Sequence, residues 1–119
     1  MDICYSTNSN YLDLMLVSIL SLEKHNTNCT IHILHSSLND LEISRIKRTA
    51  KSPVIFYFVE DKYLNSLSNK LSNQHTHFSV EAFYRVFIPK YLNLDKVLYL
   101  DVDTLIRSDL KLLYNINIS

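Results

Sequence analysis

The sequence contains no glycine at all. A P-loop needs glycine for its phosphate-cradling turn, and the dinucleotide fingerprint needs three, so both are excluded. Any phosphate bound here must be held by a metal, by side chains or by a helix N-terminus. Only two cysteines are present, Cys4 and Cys29, and their spacing fits no metal site. They read as free thiols in a reducing compartment, which favours a cytoplasmic location. Net charge is also lacking, because twelve basic and twelve acidic side chains cancel. That removes the electrostatic footprint of a nucleic-acid binder. Long hydrophobic runs are missing too. Leu14 to Leu22 is apolar but contains Ser18 and Ser21 and lies between Asp13 and Glu23. It is too short to span a bilayer, so no transmembrane segment is expected. No basic stretch precedes an apolar one near Met1, so no signal peptide is expected either. Asn28-Cys29-Thr30 and Asn117-Ile118-Ser119 match glycosylation sequons, which chance explains in a chain rich in Asn and Ser.

What is there is enough for one compact domain: 119 residues, 47% of them hydrophobic. No internal repeat or linker divides them. Asp2 to Ser6 predicts a first strand. Thr7 to Asn10 is a polar turn in which Asn8 or Ser9 can cap the helix that follows. That helix, Tyr11 to about His25, is apolar nearly all round, which predicts cover on more than one face. Asn26 to Asn28 breaks it, and Thr30 to His35 predicts a second strand. Asn39 with Glu42 three residues on resembles a capping box. It opens a helix with Ile43, Ile46 and Ala50 inward and Arg45, Lys47 and Arg48 outward. Val54 to Val59 predicts a third strand. Within the polar stretch Glu60 to His77, a short helix around Tyr63 to Leu71 is the expectation. A third helix capped by Ser79 should end before Pro89. Lys96 to Leu100 predicts a fourth strand, Thr104 to Arg107 another short one, and Leu110 to Tyr114 a helical turn.

This alternation predicts an α/β fold with a mainly parallel sheet and right-handed crossovers. In a sheet ordered 3-2-1-4, the connections of strands 1 and 4 depart to opposite faces. The crevice between their carboxyl ends is then the switch point where ligands bind. Thr7 to Tyr11 would lie beside Asp101 to Asp103. The most informative segment is Lys96-Val97-Leu98-Tyr99-Leu100-Asp101-Val102-Asp103, an apolar run ending in two carboxylates spaced i, i+2. In extended backbone that spacing puts both on one side, where they repel unless a cation lies between them. A hard divalent cation, Mg²⁺ or Mn²⁺, suits such oxygen ligands. Such a cation can hold a diphosphate, with a base stacked on Tyr11. The pair alone also fits a solvated turn, and Tyr11 alone also fits a core residue of the first helix. His75 and His77 look like a ligand pair but also like two exposed histidines. Asp109 reads as a cap or turn residue and not as a third ligand.

The Asp101-Val102-Asp103 segment, with Tyr84-Arg85, Ile88-Pro89 and Asn10-Tyr11 upstream, resembles glycosyltransferase family 8. The resemblance covers essentially the whole chain, but only the first part of a typical member. It implies the Rossmann-like, three-layer GT-A fold and a retaining transfer of a hexose from a UDP-sugar, galactose or glucose, with Mn²⁺ as cofactor. The acceptor would be a saccharide or a lipid-linked glycan, as in lipopolysaccharide synthesis. The complete enzyme would lie in the cytoplasm, peripheral to the inner membrane face. On matching positions, Asp101 and Asp103 would ligate the metal and Asp101 would also touch the ribose. The Val102 backbone would lie near the nucleotide. Tyr11 would stack on uracil, with Thr7, Asn8 and Asn10 around it. Arg85 would reach the diphosphate and act in catalysis, and His77 would face the acceptor.

Two departures stand out. Asn8 and Ser9 replace residues usually acidic in the family. The later His and Lys motifs that complete the metal shell and hold the leaving diphosphate are absent, so a truncated chain is expected. The rival expectations are a non-catalytic remnant that folds and binds nucleotide weakly, and a haloacid-dehalogenase-type phosphatase. The phosphatase wants its acidic pair near the start of the domain.

Overall fold

The computed structural model describes residues 1–60 and 80–118. The helix expected around Tyr63 to Leu71, the Ser79 cap, His75 and His77 lie outside them. Four strands form one sheet: β1 (Asp2–Ser6), β2 (Thr30–His35), β3 (Val54–Phe58) and β4 (Leu98–Tyr99). Their order is β3-β2-β1-β4, and every pairing is parallel. The expected α/β architecture and strand order are therefore present.

Alternation along the strands builds two cores. Ile3, Tyr5, Ile31 and Ile33 face helices α1 (Leu12–His25) and α2 (Asp40–Thr49). Cys4 and Leu34 face the other way, toward Val59, Tyr84 and Leu92. The second layer includes a 3₁₀ helix at Val80–Phe87 and α3 (Ile88–Tyr91). Helices thus cover both faces of the sheet, as parallel strands require. Burial raises the Cys4 thiol pKa to about 12 and that of the Tyr5 phenol to about 12. Cys4 is thus a packing residue and an inert thiol.

Local chemistry explains the element ends. Asn39 caps α2 in a capping box with Glu42, in agreement with the spacing. Asn28 turns the chain into β2 at φ 58°, the only positive φ among the described residues. With no glycine available, Asn is the residue that takes this conformation at least cost.

Several boundaries differ from expectation. Ser9–Tyr11 forms a 3₁₀ turn, so α1 begins at Leu12. The third helix does not stop before Pro89. Its 3₁₀ part ends at Phe87, and an α-turn with Pro89 in its first positions continues it. Proline is tolerated there because the first N–H groups of a helix have no intrahelical partner. Thr104 to Arg107 is not a strand but irregular chain. It is tied to α1, with Ser21 Oγ accepting from the Ile106 N–H at 2.9 Å. α1 packs against the sheet, α2 and Ile106, yet Leu14, Val17 and Leu20 are each about half exposed.

His35 closes β2 and is 5% exposed. Its Nδ1 accepts from the Leu38 N–H at 3.3 Å, and its ring meets Phe56 and Phe58 edge-on. Desolvation by burial lowers its pKa from the ordinary value. A depressed pKa gives stability that is present above the unfolded value of about 6.5 and lost as pH falls through the folded value. Urea midpoints should therefore decline from pH 7 toward pH 5. His35→Gln should flatten that decline, and an unchanged slope would exclude His35 as its source.

Candidate functional site

β1 and β4 are neighbours, with Ile3 opposite Leu98 and Cys4 opposite Tyr99. The Leu100 N–H extends the ladder by donating to Cys4 O at 2.9 Å. Both strands run the same way, so the segments that follow them emerge at one edge of the sheet. This is the juxtaposition that the alternating order implies.

The segment after β1 is held from two sides. Thr7 is buried, and its N–H donates to Leu34 O at 3.1 Å, reaching across to β2. Asn8 Oδ1 accepts from the N–H groups of Asn10 at 2.9 Å and Tyr11 at 3.2 Å. Ser9 Oγ donates to Glu42 Oε1 at 3.0 Å, tying the turn to the start of α2. Asn10 is exposed, and the Tyr11 side chain is 39% exposed and therefore not a core residue.

The segment after β4 is a turn, not extended chain as the i, i+2 argument assumed. The Thr104 N–H donates to Asp101 O at 3.2 Å, and Thr104 Oγ1 donates to the same carbonyl at 2.7 Å. The alternation survives as far as the turn. Leu98, Leu100 and Val102 pack on the α1 side, whereas Val97 and Tyr99 pack on the other. Asp101 and Asp103 flank Val102, and both are exposed. Among the described residues, no cluster of three His, Cys, Asp or Glu groups could hold a metal. Two exposed carboxylates are an all-oxygen donor set, which suits a hard divalent cation whose remaining positions are filled by water or a diphosphate. Asp109 Oδ1 accepts from the Lys111 N–H at 2.7 Å in an Asx turn just before α4 (Lys111–Tyr114), which matches the turn half of its cap-or-turn reading.

Tyr99 links the parts. Burial raises its pKa foremost, the neighbouring Asp101 charge raises it further, and Arg85 lowers it. Arg85 and Asp101 thus both act electrostatically on this phenol, and Arg85 itself is exposed. The Ser6 hydroxyl lies near Tyr99 but falls short of a good hydrogen bond; it is buried without a partner.

Sequence reasoning missed the polar chain that fixes the acidic turn. The Tyr5 hydroxyl and Ser18 Oγ lie 2.8 Å apart, and Ser18 Oγ and Thr104 Oγ1 lie 3.1 Å apart. Ser18 is fully buried in an apolar helix. A serine in such a place needs a partner, and that was the available signal.

A parallel 3-2-1-4 sheet whose neighbouring strands β1 and β4 send a polar turn and an acidic turn from the same edge defines the class: a GT-A-type α/β domain. Residues 2–119 match the model of glycosyl transferase family 8, and the chain belongs to that family. It is 28% identical over 109 residues to the glycosyltransferase GlyE of Streptococcus pneumoniae, covering 91% of this chain and 27% of GlyE. It is 26% identical over 110 residues to the glycosyltransferase GlyA of the same organism, covering 91% of this chain and 15% of GlyA. Among solved structures, the galactosyltransferase LgtC, determined with donor and acceptor sugar analogs, superposes with a TM-score of 0.84 at 23% identity. That match covers 100% of this chain and 44% of LgtC. The chain thus spans less than half the length of each of these relatives. No helix among the described residues is long and apolar enough to cross a membrane.

Proposed function

We propose that this chain forms the donor-binding part of a metal-dependent hexosyltransferase. Such an enzyme moves a hexose, galactose or glucose, from a nucleoside diphosphate to a saccharide or lipid-linked glycan, with retention of configuration. The observation that carries this is the parallel pairing of β1 with β4, from which the Thr7–Tyr11 turn and the Asp101–Thr104 turn leave at the same edge of the sheet. Family membership supports the same reading.

The roles follow from exposure and charge. The exposed face of Tyr11 offers a stacking platform for the base. Asn10 and the Thr7 and Val102 backbones lie along the nucleotide. Arg85 pairs with the diphosphate, where a guanidinium gives charge-assisted bonds. Asp101 and Asp103 hold Mn²⁺ or Mg²⁺, which when bound neutralises charge on the departing diphosphate. Arg85 supplies further positive charge where negative charge develops. The cytoplasm, at the inner membrane face, is where such a transfer to a lipid-linked glycan would occur.

Titration calorimetry tests the reading. Pyrimidine nucleoside diphosphates should bind at least about tenfold more tightly with Mn²⁺ than without it, a difference of ~1.4 kcal/mol. An assay of donor-sugar hydrolysis then separates an enzyme from a module that only binds. If no nucleoside diphosphate binds in either condition, the proposal is wrong.

A further inference from the structure

We infer that two copies of this chain pair through β3, edge to edge and antiparallel, to form one continuous sheet across a two-fold axis. β3 is an outer strand in the order β3-β2-β1-β4, so one of its edges has no neighbouring strand. The direction of its backbone groups is fixed. The Ile31 N–H donates to Pro53 O at 2.9 Å, and the Val59 N–H donates to His35 O at 2.7 Å. In a parallel ladder alternate residues bond the neighbour, so Pro53, Ile55, Tyr57 and Val59 turn toward β2. The N–H and C=O groups of Val54, Phe56 and Phe58 point outward, and among the described residues no backbone group bonds them. Natural edges are blunted by a charge, a proline or a bulge. Val54 to Phe58 contains no charge and no proline, and its register against Ile31 to His35 runs without interruption. The Lys47 ammonium of α2 is drawn over the Phe56 ring, 5.7 Å from its centroid, a contact made on a side chain. Ile55 and Phe58 are 44% and 55% exposed, although both are large and apolar.

The strand complements a second copy of itself. With Phe56 on the axis, outward-pointing residues meet outward-pointing residues. Phe56 faces its own copy and Val54 faces Phe58 of the second copy, each pair exchanging both backbone bonds. Ile55 then lies opposite Tyr57 of the second copy. These are the aromatic and β-branched cross-strand pairs that stabilise antiparallel ladders, and they cover the exposed Ile55 and Phe58. Charge selects the direction. Lys51 precedes the strand, Glu60 follows it, and both are exposed. Antiparallel pairing brings each Lys51 toward Glu60 of the second copy, whereas parallel pairing sets like charges together. β1 and β4 lie beyond β2 from this edge, so the pairing leaves the crevice at their carboxyl ends open.

Sedimentation velocity of the full chain over a range of concentrations tests the inference. A concentration-dependent species of twice the chain's mass is expected. Phe58→Pro removes an outward N–H that β2 does not use, so the ladder to β2 survives. By symmetry it deletes one bond at each end of the interface, and dimerisation should weaken at least about tenfold. Ile55→Lys puts a charge at an exposed position that the second copy covers, and it should weaken dimerisation to a similar degree. Thermal melts show whether each variant remains folded, and if Phe58→Pro does not, Ile55→Lys decides. A monomer at every concentration up to about 100 μM overturns the inference. So does a dimer that Ile55→Lys leaves intact, because its contact then lies on another surface. Open-ended association in place of a closed pair overturns the two-fold arrangement as well.

Discussion

Replacing Asp101 and Asp103 together by Asn should abolish the Mn²⁺-dependent part of nucleoside diphosphate binding. Contacts to a charged group contribute ~1.5 kcal/mol each at the low end, so two of them correspond to a loss of about 100-fold or more in metal affinity. The same change should leave the fold intact. Both side chains are exposed, and the turn that carries them is held through the backbone carbonyl of Asp101, which an Asn retains. Val102 still packs against the core between them. Surface substitutions of this kind cost at most about 0.5 kcal/mol, so the melting temperature should move by no more than about 3 °C. Calorimetry with Mn²⁺ and with Mn²⁺ plus nucleotide measures the first effect, and a thermal melt the second. Retained metal-dependent binding would remove the pair from the site. A collapsed melt would show instead that these carboxylates serve the fold.

The sheet and its order were legible because they depend on patterns of short range. β1 and β2 begin and end where their apolar runs and flanking polar residues place them. The Asn39–Glu42 box set the start of α2. A parallel order then followed from alternation and the handedness of crossovers, which brought two distant segments to one edge. What was not legible depends on contacts between distant residues. β4 is only Leu98–Tyr99 because the chain turns as soon as Thr104 Oγ1 captures the Asp101 carbonyl. Thr104 to Arg107 has the composition of a strand but finds partners on α1 in place of a strand edge. Leu14, Val17 and Leu20 show that an apolar sequence does not by itself secure cover. At the site, residue types suggested who could act. The capping bonds that commit Asn8 Oδ1, and the packing of Tyr99 on the face of the sheet opposite α1, needed coordinates.

Asn26 is the residue through which that long-range logic can be tested most sharply. In sequence it reads only as part of a helix break. In the structure it is 7% exposed and joins the end of α1 to the chain that follows the acidic turn. Its Nδ2 donates to Leu22 O at 3.1 Å and to Ser108 O at 3.3 Å, while its Oδ1 accepts from the Leu110 N–H at 2.7 Å. Asn26→Ala removes all three bonds and leaves the Leu110 N–H without that acceptor. Each lost bond costs ~1 kcal/mol, and an orphaned buried donor costs more, so a destabilisation of about 3 kcal/mol is expected. For a chain of this size that is a fall of about 12 °C in melting temperature. Asn26→Asp keeps the acceptor for Leu110 but faces two carbonyl oxygens with a carboxylate, and it should be no better than the alanine. Nucleotide affinity measured well below the melt should change much less than stability does. The acidic turn keeps its own anchor through Thr104 and Ser18, which Asn26 does not touch. A loss below about 1 kcal/mol would mean that water replaces the amide, and that the segment after the turn is held chiefly by Ser21 and by the packing of Ile106 and Leu110 on the core.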